Sequence, residues 1–168
     1  FIPLQAPAMT IQIGDRIPEV VLKYVADGIQ AIDTPTLFED RKVVLFAVPG
    51  AFTPTCSERH LPGFVEHFDA FRKRGIEVAC MAVNDPFVMQ AWGESQHVPK
   101  GLRMLSDGNG DFARALGLEM DASGYGMGLR SKRFALYAED AIVRALFVEA
   151  PGEFRVSSAE HVLAHLPD

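Results

Sequence analysis

The sequence predicts one α/β domain with a mixed central sheet and helices on both faces. Three observations carry that prediction. The chain has 168 residues, 48% of them hydrophobic, which supplies a substantial core for one domain and is too short for two comfortable ones. Strand-like and helix-like patterns alternate along it, with no repeat, low-complexity tract or linker to divide it. Two short valine-rich runs read as strands covered on both faces, which calls for helices above and below the sheet.

Residues 1–8 lack the basic start of a secretory signal and read as an N-terminal extension or an expression remnant, so the domain is placed at 9–168, from Met9. Lys42 to Val48 is the first buried strand and Gly75 to Val83 the second. Between them Leu61, Phe64, Val65, Phe68 and Phe71 recur at helical spacing, Gly75 closes that helix, and Pro62 marks a kink or restart. Asp85 suits an N-cap and Pro86 the first helical position, with Phe87, Ala91 and Trp92 facing the core. A short helix follows from Asp111 to Leu116. Lys132 to Tyr137 and Ile142 to Val148 read as a hairpin joined at Ala138-Glu-Asp-Ala141. The last helix opens on Ser157-Ser-Ala-Glu160, the spacing of a capping box. The order βαβα, hairpin, helix is the thioredoxin-like arrangement, and right-handed crossovers leave few alternatives.

Composition excludes several functions. A net charge of −6 provides no basic footprint for nucleic acid or anionic lipid, and no stretch approaches the roughly 20 apolar residues that cross a bilayer. Two cysteines, Cys56 and Cys80, are too few for a disulfide scaffold or a four-cysteine zinc site, and their separation excludes a C-x-x-C motif. So sparse a count fits a reducing compartment, and the cytoplasm is the expected location. His60 and His67 lack further ligands, so no metal is expected. Asp107 to Asp111 begins like a calcium loop, but Phe112 and Leu118 stand where glycine and glutamate are required. Gly124 to Gly128 lacks the third glycine of a dinucleotide fingerprint and reads as a flexible loop near the site.

Chemistry concentrates in Pro49-Gly-Ala-Phe-Thr-Pro-Thr-Cys56, which leaves a buried strand and enters a helix. In open α/β sheets, sites form beyond the carboxyl ends of the strands. Thr55-Cys-Ser-Glu58 has capping-box spacing, with Thr55 as N-cap, which places Cys56 in the first turn beside unpaired amides. Such a position favours thiolate over thiol. Acidity alone is not a mechanism: a free thiol of pKa about 8.5 is about 3% ionised at neutral pH, so full ionisation gains only about thirtyfold. Larger acceleration requires donors that hold the attacked and leaving oxygens as an O–O bond breaks. Thr53 offers a hydroxyl, Pro49 a screen from water, and a cation must come from elsewhere in the chain.

Pro49-x3-Thr53-x2-Cys56 is the active-site motif of the peroxiredoxins, and the run through His60-Leu-Pro-Gly63 resembles the peroxiredoxin-5 subgroup. Val83-Asn-Asp-x-Phe-Val-Met-x-Ala-Trp92 and Arg130-Ser-Lys-Arg-Phe134 resemble it too, so the similarity spans about Ile11 to Leu166. The resemblance implies a thiol-dependent peroxidase acting on hydrogen peroxide and organic hydroperoxides. Cys56 would be the peroxidatic cysteine that becomes a sulfenic acid. Thr53 would donate or relay a hydrogen bond to the peroxide, and Pro49 would shape the pocket. Arg133, favoured over Arg130, would stabilise the thiolate with its fork of donors. No metal, flavin or haem is required, and a homodimer with the active-site face near the interface is expected.

Some members of the subgroup carry a resolving cysteine just before the final helix; Glu153 to Ser158 here contains none. Cys80 lies in a buried-looking strand and reads as structural. The expectation is a one-cysteine cycle in which an external thiol such as glutathione takes up the sulfenic acid and glutaredoxin, in preference to thioredoxin, releases it. The rivals are a peroxide-sensing relay whose oxidised Cys56 is read by a partner protein, and a thiol–disulfide oxidoreductase, which the lack of C-x-x-C disfavours. Thr55 reads as a cap and His60 as scaffold.

Overall fold

The two valine-rich runs become neighbouring parallel strands at the centre of a seven-stranded sheet. The computed structural model describes residues 10–167; the reading of residues 1–8, and of Met9 as a start, lies outside the described residues. In chain order, β1 (Val21–Val25) and β2 (Ile29–Asp33) precede α1 (Thr34–Phe38) and β3 (Lys42–Val48). A π-helical turn (Cys56–His60) leads into α2 (Leu61–Glu66), α3 (Phe68–Lys73), β4 (Ile76–Ala82), α4 (Pro86–Ser95) and β5 (Arg103–Ser106). Then come α5 (Asp111–Leu116), β6 (Glu119–Asp121), a 3-10 turn (Ser123–Tyr125), β7 (Leu129–Ser131), β8 (Phe134–Glu139), β9 (Ile142–Val148) and α6 (Ala159–His165). The sheet order is β2-β1-β5-β4-β3-β8-β9, with β6 and β7 as a separate pair. Strands β3, β4 and β5 are mutually parallel and the remaining pairings antiparallel, so the sheet is mixed, as expected.

The period of two along β3 divides the core. Val44, Phe46 and Val48 face one layer with Cys56, Phe64, Phe71, Trp92 and Val162; Val43, Leu45 and Ala47 face the other with Phe38, Phe112 and Leu116. A central strand thus needs apolar residues at every position, the reason the run is continuous. The β8–β9 turn is tight because Asp140 and Ala141 both adopt positive φ, 49° and 64°, the left-handed pair that matches hairpin twist.

Several expected boundaries move. The stripe from Leu61 to Phe71 is two helices, broken at His67, not one; the restart expected at Pro62 falls at the entry to α2. Strand β8 starts at Phe134, so Lys132 lies outside it. Asp85 caps α4 through Val88 N (2.9 Å), but Phe87 and Ala91 face outward; Met89, Trp92 and Gly93 make the buried stripe. Ser158, not Ser157, caps α6, accepting from His161 N at 3.2 Å, and Ser157 serves elsewhere. The β1–β2 hairpin, α1, β5 and the β6–β7 pair were not expected. Most of β1 and β2 is exposed or half-buried, which weakens apolar alternation, yet Asp27-Gly28, with φ of 54° and 90°, was a hairpin signal in plain sight.

Candidate active site

Pro49 stands half-buried directly after β3 and begins the loop that carries the motif. Asn84, two residues past the end of the neighbouring β4, accepts Ala51 N through Oδ1 (2.9 Å) and ties the loop to the sheet. The Thr53 hydroxyl donates to Gly50 O at 2.7 Å, closing the loop on itself. Gly50 is closely packed: a Cβ there would stand 3.0 Å from Met127 Cε and 3.3 Å from Arg130 Nη1, so these side-chain ends would have to give by a few tenths of an ångström. The glycine-rich loop of residues 124–128 therefore does lie against the motif.

Helical backbone begins at residue 54, and Cys56 is in the first turn, as the spacing required. The cap assignment is corrected, however. Thr55 is itself helical (φ −62°, ψ −38°) and makes no side-chain cap, because the helix starts a residue earlier at Pro54. From Cys56 to His60 the helix widens, with Leu61 N bonding Cys56 O. Pro62 explains the widening, since it lacks the N–H for the carbonyl four residues back and its ring crowds that carbonyl. Trp92 Nε1 donates to Ser57 Oγ (2.9 Å) and pins the turn to α4.

Arg133, 77 residues further along the chain, comes to the sulfur. Its Nη2 donates to Cys56 Sγ at 3.0 Å, while Nη1 donates to His60 Nδ1 at 2.8 Å. Arg130 instead donates to Met127 O (2.8 Å), so the two arginines separate cleanly. Cys56 is fully buried, but its neighbours include a guanidinium, not hydrocarbon alone. A sulfur that accepts from a charged donor is held in the geometry a thiolate needs.

His60 does more than fill space. Its Nε2 lies 3.0 Å from the Ser157 carbonyl, which can only accept, so Nε2 carries the proton and Nδ1 the lone pair that Arg133 requires. Phe46 and Phe154 wall the ring at 5.0 Å, and Phe154 also lies against Arg59 and Arg133 at 4.7 and 5.8 Å. Its position four residues after Cys56 was the only sequence signal for this role.

Burial, and then the charge of Arg133, push the His60 pKa down to about 3 against the opposing Ser157 bond. The imidazole is therefore neutral at pH 7 and remains so well into the acid range. The unfolded chain binds a proton here below about pH 6.5 while the fold refuses it down to about pH 3. This residue's contribution is full above pH 6.5 and lost progressively across that window. Between pH 7 and 5 the expected loss is on the order of 2 kcal/mol. Urea unfolding at both pH values checks this: His60→Gln, which cannot protonate, should show a shallower pH slope. Equal slopes would contradict a neutral buried imidazole.

Cys80 lies on β4 opposite Phe46, fully buried and free. Burial, then the nearby Cys56, push its thiol well above the usual range, with Arg133 opposing. Such a thiol is a poor nucleophile. Among the described residues no group of three His, Cys, Asp or Glu could hold a metal. Asp107, from the calcium lookalike, turns inward and accepts Phe112 N and Ala113 N (2.9 and 2.8 Å) at the start of α5.

Fold and site together define a thiol-based oxidoreductase of thioredoxin-like architecture. Comparisons narrow the class. The sequence model of the family described as Redoxin matches residues 12–163. Chloroplastic peroxiredoxin-2E-2 of Oryza sativa subsp. japonica is 48% identical over 164 residues, which cover 94% of this chain and 73% of that one. The structure of reduced Prx3 from Vibrio vulnificus in complex with H2O2 is 47% identical, with a TM-score of 0.90 over 94% of this chain and 100% of that one. Peroxiredoxin 5 from Alvinella pompejana is 35% identical, with a TM-score of 0.81 over 92% of this chain and 96% of that one. This chain belongs to the redoxin family and, within it, to the peroxiredoxins, thiol peroxidases that act on peroxides with a thiol reductant.

Proposed function

We propose that this peroxiredoxin reduces hydrogen peroxide and small organic hydroperoxides at Cys56 through a one-cysteine cycle completed by glutathione and glutaredoxin. The Arg133 Nη2–Cys56 Sγ bond of 3.0 Å carries the reading. The thiolate attacks one peroxide oxygen; an S–O bond forms, the O–O bond breaks, and the leaving oxygen departs as water or an alcohol after taking a proton. Arg133 stabilises the thiolate and then the charge that develops on the oxygens. The Thr53 proton is engaged by Gly50 O, so this hydroxyl serves the peroxide as an acceptor for its O–H, which refines the donor role expected from the motif. Pro49, at the head of the loop, screens the sulfur from bulk water.

The sulfenic acid then condenses with an external thiol, releasing water and leaving a mixed disulfide, and a second thiol frees Cys56. Two features support the external route: the buried, protonated Cys80 is a poor resolving thiol, and Glu153 to Ser158 supplies no other. Glutaredoxin is the proposed partner in preference to thioredoxin, and the peroxiredoxin-5 subgroup the proposed placement. Two free cysteines suit a reducing compartment, and the cytoplasm is our assignment. A homodimer is supported by exposed Phe52, Phe87 and Tyr125, whose segments all meet at the motif loop through Asn84 and Met127.

Limiting peroxide followed by glutathione, with native and denaturing mass spectrometry, tests the cycle. The expected masses are one added oxygen, then one glutathione adduct, on a protein of dimeric mass. A Cys56–Cys80 disulfide in their place would refute the one-cysteine cycle, and a monomer would refute the dimer.

A further inference from the structure

Glu149, immediately after β9, is 6% exposed and meets no cation within 4.0 Å among the described residues. Its carboxylate is held by hydrogen-bond donors alone. Arg155 N reaches both oxygens at 2.9 Å, while Val156 N (2.9 Å), Ser157 N (2.8 Å) and Ser157 Oγ (2.7 Å) converge on Oε2. Burial alone would raise this carboxyl; the bonds from Ser157, Arg155 and Val156 outweigh it, and the net shift is downward. A buried carboxylate so fully satisfied holds three successive amides in one arrangement.

That arrangement decides what the next carbonyl does. Ser157 O faces His60 Nε2 at 3.0 Å, which fixes the tautomer whose Nδ1 accepts Arg133 Nη1. Without that carbonyl only Arg133 still opposes a proton on Nδ1, and the Nδ1–H tautomer, where it forms, sets N–H against N–H and turns the guanidinium from the sulfur. A second tie runs through the main chain: Glu149 N donates to Arg133 O at 3.0 Å. One residue therefore holds both the backbone of Arg133 and the residue that orients its partner.

We propose that Glu149 is a positioning residue for the peroxide step, aiming Arg133 at Cys56 through the Ser157 carbonyl and the His60 tautomer. The proposal rests on the peroxidase reading above, and its test separates the two. Cys56 oxidation by hydrogen peroxide is timed by stopped flow in wild type, Glu149→Gln, Arg133→Gln and the double variant. Glu149→Gln should slow oxidation about tenfold, as loss of hydrogen bonds to a charged group implies. In the Arg133→Gln background it should add less than about twofold, because both changes act through one guanidinium. A loss of equal size in both backgrounds marks general damage and overturns the proposal, as does a wild-type rate in Glu149→Gln.

If circular dichroism shows Glu149→Gln unfolded, Ser157→Ala takes its place, with an expected loss of about threefold and the same non-additivity. Imidazole nitrogen NMR is the second readout, with the Nε2–H tautomer alone in wild type and a mixture in the variant. An unmixed tautomer there overturns the proposal. If wild-type Cys56 ignores peroxide, the peroxidase reading falls, and the tautomer measurement still decides the role of Glu149.

Discussion

Cys56→Ser should consume no hydroperoxide above the uncatalysed background, whatever reductant is supplied. Serine is close in size to cysteine, and the helix start, the Arg133 contact and the packing against Phe46 survive the change. What disappears is the atom that can expand its bonding to oxygen and give up two electrons. A hydroxyl ionises far above neutral pH, and its oxygen has no stable oxidised form equivalent to a sulfenic acid. No reserve exists, because Cys80 is buried and its thiol is pushed upward. Peroxide consumption with glutathione plus glutaredoxin, and separately with thioredoxin, is the measurement. A variant keeping more than about a tenth of wild-type turnover would remove Cys56 from the centre of the mechanism.

Arg133→Ala should slow the peroxide step by about 10² to 10³-fold, or roughly 3–4 kcal/mol, the scale observed when a preorganised donor to a developing charge is removed. Among the described residues the guanidinium makes its two side-chain hydrogen bonds inside the site, at 3.0 Å to Cys56 and 2.8 Å to His60, so truncation removes both together. It also strips the contact with Phe154. Arg133→Lys separates charge from geometry: an ammonium keeps the charge but lacks the planar fork that reaches sulfur and imidazole at once. It should recover only part of the rate. Second-order rates of Cys56 oxidation, with thermal melts to confirm folding, decide the matter. A near-wild-type rate in Arg133→Ala would transfer the cation's role elsewhere, and Arg130 would be the next residue to test.

The expected fold was legible where burial is extreme. Lys42 to Val48 appears as a strand at those bounds, and Asp111 to Leu116 as a helix, because each has an unambiguous apolar pattern and a clear stop. Legibility failed where one-sided burial or local capping decided the outcome. The exposed hairpin β1–β2 has little apolar signal. Thr55 and Ser157 both have capping-box spacing, yet neither caps, because Pro54 starts one helix early and Glu149 claims Ser157 for another task. Competing partners from distant segments are invisible to spacing.

What the chain by itself determined is local. Pro49, Thr53 and Cys56 lie within one turn-sized segment, so their order sets the loop, the helix start and the place of the sulfur. Family resemblance favoured Arg133 as the partner of that sulfur, but spacing and chemistry within the chain did not, and only tertiary structure makes the contact. Arg130 and Arg133 are three residues apart and chemically identical, and only the departure of the chain into β8 sends one to Cys56 and the other to Met127. His60 likewise could read as scaffold until Ser157, 97 residues away, settled which nitrogen bears the proton. Spacing encodes which backbone a segment prefers; charge and tautomer depend on what packs across the gap, and that meeting exists only in the folded chain.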